Sequence, residues 1–470
     1  MKQLLVCCLL CYAALTNAQT LSALFAPPTT AEINTVIADW DARDVGVYDW
    51  MIEGSGTISG GLPVDVVSHT VAGFTHYAFV RLPQNYDPNL KYPILIANHG
   101  GTGGTSIGIV AQHGLDCYRD YFVLGASFQG EPLDASPLGL GIFTSGGPIS
   151  EFDRDVDDVI ALLNGVIANY AGADETNVTV FGGSRGGCVS YLLSVRDARI
   201  HTGVYFYGAT DHITHPGLEA TIQNIQATGM GINPFYNTIL GFADPYMNGT
   251  MSLADARIGL LSRSAIHFIN HNLPTNMQIH HGDADGAVPV ETSQHLDAEL
   301  TSNSLPTGSY TYYEYPGGGH GSNMPMSVDR KNDFLWSYSC PDKGMDLAVK
   351  VLLQGAYDTG TSMMRDDLRT LGSFPTTDPY GYGVNMNPNL LNITGNNAIV
   401  DWVEVEFRPA SAPNTVRFSI AALVQRDGDV VGLNGNTPIV IDDLPFGDYH
   451  ISVKHRNHLG VMTNMTVLAD

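Results

Sequence analysis

The feature that most restricts how this chain can fold is a serine held by glycines between a strand and a helix. Residues 178–181 form an apolar run typical of a buried strand, and residues 188–195 have the pattern of a buried helix. Only Gly182-Gly183-Ser184-Arg185-Gly186-Gly187 connects them. Such a tight turn tolerates only small neighbours and lifts the serine hydroxyl clear of the sheet. The segment therefore predicts Ser184 as a nucleophile at the end of a central strand.

The surrounding sequence alternates between strand and helix patterns. Short apolar runs at residues 77–82, 92–98, 122–127, 277–280 and 310–315 predict strands, and helical spacing at 152–167 and 332–338 predicts helices. This alternation indicates an α/β domain with a mainly parallel sheet over residues 65–341. Residues 209–265 interrupt it with helix-like sequence, which we interpret as a cap inserted over the sheet.

The two ends of the chain have a different texture. Residues 19–64 are interpreted as an N-terminal extension with one short helix near residues 33–40. At the other end, alternating runs at 398–407, 417–420 and 449–453 are separated by turn residues. That pattern predicts a smaller all-β domain over residues 345–470.

Residues 1–18 have the layout of a secretory signal peptide. Lys2 precedes an apolar run at residues 4–11, and small residues follow up to a cleavage point near Ala18 or Gln19. We therefore expect export, to the periplasm or the medium. No later segment has 18 uninterrupted apolar residues, so no membrane span is predicted. Cleavage leaves Cys117, Cys188 and Cys340, which allow at most one disulfide.

The charge balance excludes some partners. The chain has 22 Lys and Arg against 47 Asp and Glu, a net charge of −25. Binding to nucleic acid or to an anionic membrane requires clustered cations, so neither partner is expected. With 44% hydrophobic residues the chain can still bury a large core.

A second Gly-x-Ser-x-Gly pattern lies at residues 104–108, around Ser106. Ser106 lies several residues beyond its strand in a glycine loop, which is not the setting of a strand-to-helix nucleophile. The same loop begins with His99-Gly100-Gly101, directly after the strand at 92–98. Backbone N–H groups at this place can bind an oxyanion, so we predict an oxyanion site from Gly100, Gly101 and the N–H of Arg185.

A serine nucleophile needs a base and an acid that orients the base. Downstream, His281-Gly282-Asp283-Ala284-Asp285 follows one predicted strand, and Gly318-Gly319-His320 follows the next. His320 is the predicted base. The order Ser, Asp, His along the chain is that of the α/β hydrolases. Chemistry alone separates Asp285 from Asp283 only narrowly as the acid. Asp283 could equally cap a turn.

These motifs resemble the catalytic domain of the prolyl oligopeptidase, or S9-type, serine hydrolases, over about residues 75–340. The resemblance implies Ser184 as nucleophile, Asp285 as acid and His320 as base, with no metal or organic cofactor. Related domains cleave peptides and esters. Peptidases of that family commonly carry a β-propeller before the hydrolase domain. The roughly 50 residues that precede this domain here cannot form one. The C-terminal segment resembles an accessory module of secreted multidomain bacterial proteins.

Three functions follow as expectations. The first is a secreted serine hydrolase that cleaves a small peptide or ester substrate through an acyl-enzyme. The second is a carboxylesterase acting on a polymer-derived or plant-derived ester. The third is an inactive hydrolase fold that serves in binding or adhesion, with the C-terminal module attached to a polymer or surface component.

Overall fold

The computed structural model describes residues 19–59, 61–84, 86–89, 91–108, 121–339, 345–410, 412–441, 444 and 447–469. The chain divides into two compact units, Met1–Ser339 and Cys340–Asp470. The predicted signal peptide, Cys117 and Cys340 lie outside the described residues. Cys188 is buried and carries a free thiol.

Unit 1 is built on a nine-stranded sheet and a small three-stranded one. The small sheet contains β5, β7 and β8. The strands in chain order are β1 (Met51–Ile58), β2 (Leu62–Val71), β3 (Phe74–Arg81), β4 (Tyr92–Asn98), β5 (Thr105–Ser106), β6 (Phe122–Ala126), β7 (Pro132–Asp134), β8 (Ile142–Thr144), β9 (Ala173–Gly183), β10 (Ile200–Phe206), β11 (Asn276–Gly282) and β12 (Tyr310–Tyr315).

The large sheet has the order β1-β2-β3-β6-β4-β9-β10-β11-β12. From β6 to β12 neighbouring strands are parallel, whereas β1, β2 and β3 pair antiparallel. All five residues of β6 and six of the seven in β4 are buried, because helices cover a parallel sheet on both faces. The predicted α/β fold with a mainly parallel sheet is confirmed.

Nine α-helices are described in unit 1. They are α1 (Leu21–Leu24), α2 (Thr30–Asp41), α3 (Asp153–Asn169), α4 (Arg185–Arg196), α5 (Leu218–Thr228), α6 (Pro234–Met247), α7 (Leu253–Leu261), α8 (Glu291–Ser302) and α9 (Ser327–Ser339). Helices α3 and α4 pack against each other and against β9. Eleven of the twelve residues of α4 are buried, so the helix after Ser184 is anchored in the core.

The predicted N-terminal extension is not separate from the sheet. Strand β1 pairs with β2, and β2 crosses the expected boundary between residues 64 and 65. Strand β1 lies at the edge of the sheet and exposes much of its surface, so its sequence lacks the apolar run of a buried strand. Helix α2 covers the predicted short helix. Its Glu32 pairs with Arg257 of α7.

The segment between β10 and β11 forms the helical insertion that the sequence predicts over residues 209–265. It contains α5, α6 and α7 and lies on the short helix α1. Its apolar residues make a core distinct from that of the sheet. Members of that core are Leu21, Leu24, Ile213, Leu218, Ile222, Phe235, Ile239 and Leu260.

Unit 2 is a β domain, as predicted. Its strands are β13 (Met345–Leu347), β14 (Val349–Lys350), β15 (Tyr357–Asp358), β16 (Met363–Met364), β17 (Ile399–Pro409), β18 (Phe418–Gln425), β19 (Asp429–Val431), β20 (Ile439–Ile441), β21 (Gly447–His455), β22 (His458–Met462) and β23 (Val467–Ala469). Seven of them form an antiparallel sheet centred on β17 and β18.

Both faces of that sheet are buried. Val403 and Val405 of β17 contact one apolar cluster, while Trp402 enters another with Met386 and Leu390. This alternation along β17 is the period of two that the sequence of residues 398–407 displays. Among the described residues of both units, no helix has the length and apolar character needed to cross a membrane.

Candidate active site

Ser184 occupies the strained turn between β9 and α4. Its backbone lies at φ 58° and ψ −125°, a conformation that non-glycine residues rarely adopt. The neighbouring glycines leave the room that this turn requires. A Cβ on Gly182 would lie 2.3 Å from the carbonyl oxygen of Gly186, and one on Gly186 would lie 2.1 Å from that of Asn98. The sequence therefore folds here into a turn that projects the serine from the sheet edge.

The structure brings Ser184, His320 and Asp285 together from three loops. The Ser184 Oγ lies 2.9 Å from Nε2 of His320, and the other ring nitrogen, Nδ1, lies 2.7 Å from Oδ2 of Asp285. Each residue follows the carboxyl end of a strand, β9, β12 and β11 respectively. In this geometry His320 can take the proton of Ser184 while Asp285 holds the ring in place.

The carboxylate of Asp285 is fully buried and surrounded by donors. Its Oδ1 accepts hydrogen bonds from the N–H groups of Ala287 at 2.8 Å and Val288 at 3.0 Å. His281 Nε2 lies 3.5 Å from Oδ2. Burial alone would raise the pKa of Asp285, but the hydrogen bonds from His281, His320 and the two amides hold that pKa well below its usual range. Asp285 is therefore ionised at neutral pH.

Asp283 has a different position. Its Oδ1 accepts a 2.6 Å hydrogen bond from the N–H of Gly317, in the loop that carries His320. The N–H of Ala284 also donates to the carbonyl of Gly318 at 2.8 Å. Asp283 thus ties two loops together, and the contact with the His320 ring belongs to Asp285.

The residues predicted for the oxyanion site lie beside the nucleophile. Gly100, Gly101 and Arg185 line the same cavity as Ser184, and a Cβ on Gly100 would lie 3.3 Å from that of Ser184. Arg185 is the first residue of α4, where N–H groups have no acceptor within the helix and the helix dipole favours negative charge. Ser106 lies elsewhere, on β5, and its Oγ accepts from the N–H of Gly108 at 3.1 Å.

A cavity of about 850 Å³ opens at Ser184 and His320. The cap contributes Pro234, Phe235, Asn237 and Thr238 of α6 to its lining. Phe152, at the start of α3, lies 5.5 Å from the ring of His212, which in turn lies 5.2 Å from that of Phe235. The cap therefore places an aromatic wall beside the nucleophile.

Several residues of the site escaped the sequence analysis. The ring of Tyr207 lies 4.6 Å from that of His320. Tyr207 directly follows β10, the strand next to β9, which carries the nucleophile. Its place directly after a strand would have identified it, had the run at residues 200–206 been recognised as a strand. His212 and Phe235 carry no such signal, because their positions depend on how the cap folds. Phe152 was recognised only as the start of the helical pattern at residues 152–167.

The topology defines the class of protein. Counted from β2 without the small sheet, the strands lie in the order 1-2-4-3-5-6-7-8, and Ser184, Asp285 and His320 follow the fifth, seventh and eighth. This arrangement, with the strained turn at the serine, is that of a serine hydrolase of the α/β-hydrolase fold.

Solved structures similar to this chain include two acetyl xylan esterases. One, from a Thermoanaerobacterium species, is 16% identical with a TM-score of 0.46, over 66% of this chain and 93% of that chain. The other, from a Paenibacillus species, is 13% identical with a TM-score of 0.49, over 67% and 98%.

Dipeptidyl peptidase 4 from Porphyromonas gingivalis is also similar, at 15% identity and a TM-score of 0.40, over 62% of this chain and 42% of that chain. No protein-family model matches the sequence, and no curated protein does.

Proposed function

We propose that this chain cleaves a carboxylic ester or a peptide bond through an acyl-enzyme on Ser184. The observation that carries the proposal is the continuous chain of contacts from Ser184 Oγ to His320, at 2.9 Å, and on to Asp285, at 2.7 Å. A hydroxyl is a poor nucleophile until a base takes its proton, and these two contacts supply the base and orient it. They favour an enzyme over an inactive, purely binding role.

The reaction proceeds in two acyl transfers. Ser184 Oγ attacks the substrate carbonyl carbon while its proton passes to Nε2 of His320. His320 then gives that proton to the leaving oxygen or nitrogen, and the bond from the acyl carbon to that atom breaks. Water attacks the acyl-enzyme, again losing its proton to His320. The carboxylic acid leaves and the Ser184 hydroxyl is restored.

Negative charge develops on the carbonyl oxygen in both transfers. The N–H groups of Arg185 and Gly101 are the donors that we assign to it, since both residues line the cavity at Ser184. In α/β hydrolases the donors likewise come from the residue after the nucleophile and from the loop after an early strand.

Within this proposal a carboxylesterase is the candidate that we favour over an oligopeptidase. The described residues 19–59 form two helices and one edge strand joined to the hydrolase sheet. They build no propeller of the kind that commonly accompanies S9-type peptidases. A polymer-derived or plant-derived ester is a suitable substrate, because Phe152, Phe235 and Val288 line the cavity and offer apolar contacts to its acyl group.

Two further parts of the proposal concern location and the C-terminal unit. We propose export, on the basis of the signal-peptide layout of residues 1–18. For unit 2 we propose attachment to a polymer or surface component. A cavity of about 480 Å³ in that unit, lined by Phe418, Asn434 and Asn436, offers one aromatic ring and two amides to such a ligand.

Hydrolysis assays on the full chain test the proposed activity. Short acyl p-nitrophenyl esters and proline- and alanine-linked p-nitroanilides are compared in the wild type, in Ser184→Ala and in the matched variant Ser106→Ala. We expect turnover of the esters to vanish in Ser184→Ala and to persist in Ser106→Ala. Faster relative turnover of the anilides would overturn the preference for esters, and full activity of Ser184→Ala would overturn the whole proposal.

A further inference from the structure

Two successive backbone carbonyl groups in the loop after β4 accept hydrogen bonds from buried side chains. Nδ1 of His99 lies 3.2 Å from the carbonyl oxygen of Gly100, and the guanidinium of Arg185 donates to the carbonyl of Gly101 at 3.0 Å. A carbonyl can only accept, so Nδ1 of His99 carries the proton in this contact.

These contacts fix the direction of two N–H groups. A peptide unit is planar and trans, so its N–H points opposite to its C=O. Holding the Gly100 carbonyl therefore directs the N–H of Gly101, and holding the Gly101 carbonyl directs that of Thr102. Both residues line the cavity that contains Ser184.

The side chains that hold the carbonyls are themselves held. Arg185 donates to both oxygens of Asp155, at 2.9 and 3.0 Å, and to Oε1 of Glu131. His99 Nε2 lies 3.6 Å from the other oxygen of Glu131, which is beyond hydrogen-bond distance, so packing holds the His99 ring. The Phe128 ring packs on the His99 ring at 4.3 Å and on the guanidinium at 4.9 Å. We call His99, Phe128, Glu131, Asp155 and Arg185 the clamp.

The clamp is buried, and its geometry suits a planar fork. The exposed fraction is 7% for His99, 6% for Arg185 and 1% for Glu131. A guanidinium presents five N–H donors in one plane, so it can bind two carboxylates and a carbonyl at the same time. A lysine ammonium keeps the charge but cannot reproduce that arrangement. Arg185 thus joins the nucleophile turn, through its backbone, to the oxyanion loop, through its side chain.

We propose that Arg185, with Glu131 and His99, acts as a positioning residue: His99 and Arg185 fix the peptide units on both sides of Gly101, so that the Gly101 amide is aimed at the oxyanion beside that of Arg185 and the Thr102 amide becomes a further donor. This inference rests on the proposed function, because it assigns a role within that reaction. The clamp works before any substrate arrives, so it lowers the barrier without contributing to substrate affinity.

The test compares Arg185→Lys with Arg196→Lys in the full chain, using a p-nitrophenyl ester. Arg196 is a matched control on the same helix. Its side chain is 4% exposed, it pairs with Asp157, and its guanidinium lies 5.1 Å from the Trp40 ring. Both substitutions remove a buried fork, but only Arg185 contacts the oxyanion loop.

We expect Arg185→Lys to lower kcat by about 10- to 100-fold at nearly unchanged KM, because small misplacement of a catalytic group has effects of that size. Inhibition by phenylboronic acid, whose adduct on Ser184 places an oxygen at the same amides, should weaken by a similar factor. Arg196→Lys should leave kcat and this inhibition near those of the wild type, even where its thermal stability falls.

Equal kcat in the two variants, or a change confined to KM, would overturn the clamp. Should Arg185→Lys fail to fold, Glu131→Met carries the same test, since it keeps a similar side-chain volume and removes the oxygens that face the guanidinium; unchanged kcat there is equally contradictory. A wild type that neither hydrolyses esters nor reacts with a fluorophosphonate would instead overturn the proposed function. The two failures are therefore distinguishable.

Discussion

At the scale of single residues, Asp283 and Asp285 show how two carboxylates in one turn come to have different tasks. Both follow β11, and their chemistry alone does not decide which of the two is the acid; only the family resemblance favoured Asp285. The structure points Asp285 to the His320 ring and Asp283 to the N–H of Gly317. That difference arises from the path of the loop, which depends on contacts with residues 317–320.

The first prediction compares these aspartates. Asp285→Asn should lower kcat by about 10³- to 10⁴-fold, because an amide favours the wrong tautomer of the histidine and no longer stabilises its charged form. Asp283→Asn should change kcat little, since the amide oxygen can still accept from Gly317. Steady-state kinetics on an ester checks both. Equal losses in the two variants would contradict the assignment of the acid.

The second prediction concerns Gly186. A Cβ there would lie 2.1 Å from the carbonyl oxygen of Asn98, so Gly186→Ala should lower the free energy of unfolding by about 3 kcal/mol or more. Gly241→Ala is the control. That glycine also lies in a helix, but no described atom is within 4 Å of its added Cβ. Denaturant unfolding should show Gly241→Ala equal to or more stable than the wild type.

At the scale of elements, the central strands β4 and β6 were predictable, whereas the edge strand β1 and the buried strand β10 were not recognised. Residues 92–98 and 122–127 match β4 and β6, because a strand covered by neighbours shows a run of apolar residues. Strand β1 has little buried surface, and only its pairing with β2 defines it. The same reason explains why residues 19–64 resembled an extension.

The third prediction tests the attachment of α2 to the cap. Glu32 accepts from the Arg257 guanidinium at 2.6 and 3.0 Å, which lowers the pKa of Glu32 from 4.5 to about 2. A carboxyl group whose pKa is lower in the folded state stabilises the fold at pH values above its pKa in the unfolded state. That stabilisation is lost as the pH falls through its pKa in the folded state. Glu32→Gln should therefore be less stable than the wild type at pH 7.

The expected difference is about 1 kcal/mol, because the Glu32 side chain is 24% exposed and solvent weakens the pair. It should shrink between pH 4.5 and pH 2. Denaturant unfolding of both proteins across that range measures it. A difference that stays constant with pH would show that the charge of Glu32 does not contribute.

At the scale of the whole molecule, every residue assigned to catalysis belongs to unit 1. The division into a hydrolase unit and a β unit could be predicted, since the hydrophobic pattern changes from alternating strands and helices to a period of two. The substrate could not be predicted in this way. The helical insertion forms one side of the cavity, and its packing on α1 depends on contacts between residues far apart in sequence.

The fourth prediction follows from that division. A protein comprising residues 19–339 should hydrolyse a small soluble ester with a kcat within about threefold of the full chain, as expected of a domain with its own core. Kinetics and thermal unfolding of the fragment check this. A fragment that unfolds cooperatively but has lost its activity would place part of the catalytic machinery in unit 2.

The central claim is that Ser184 is an activated nucleophile, and covalent labelling of the full chain tests it most directly. After treatment with a fluorophosphonate, intact mass and peptide mapping should show one adduct, on Ser184. That adduct should be absent from Ser184→Ala, present in Ser106→Ala and formed far more slowly in His320→Ala, which lacks the base. An adduct that persists in Ser184→Ala, or that forms at another serine of the wild type, would contradict the account.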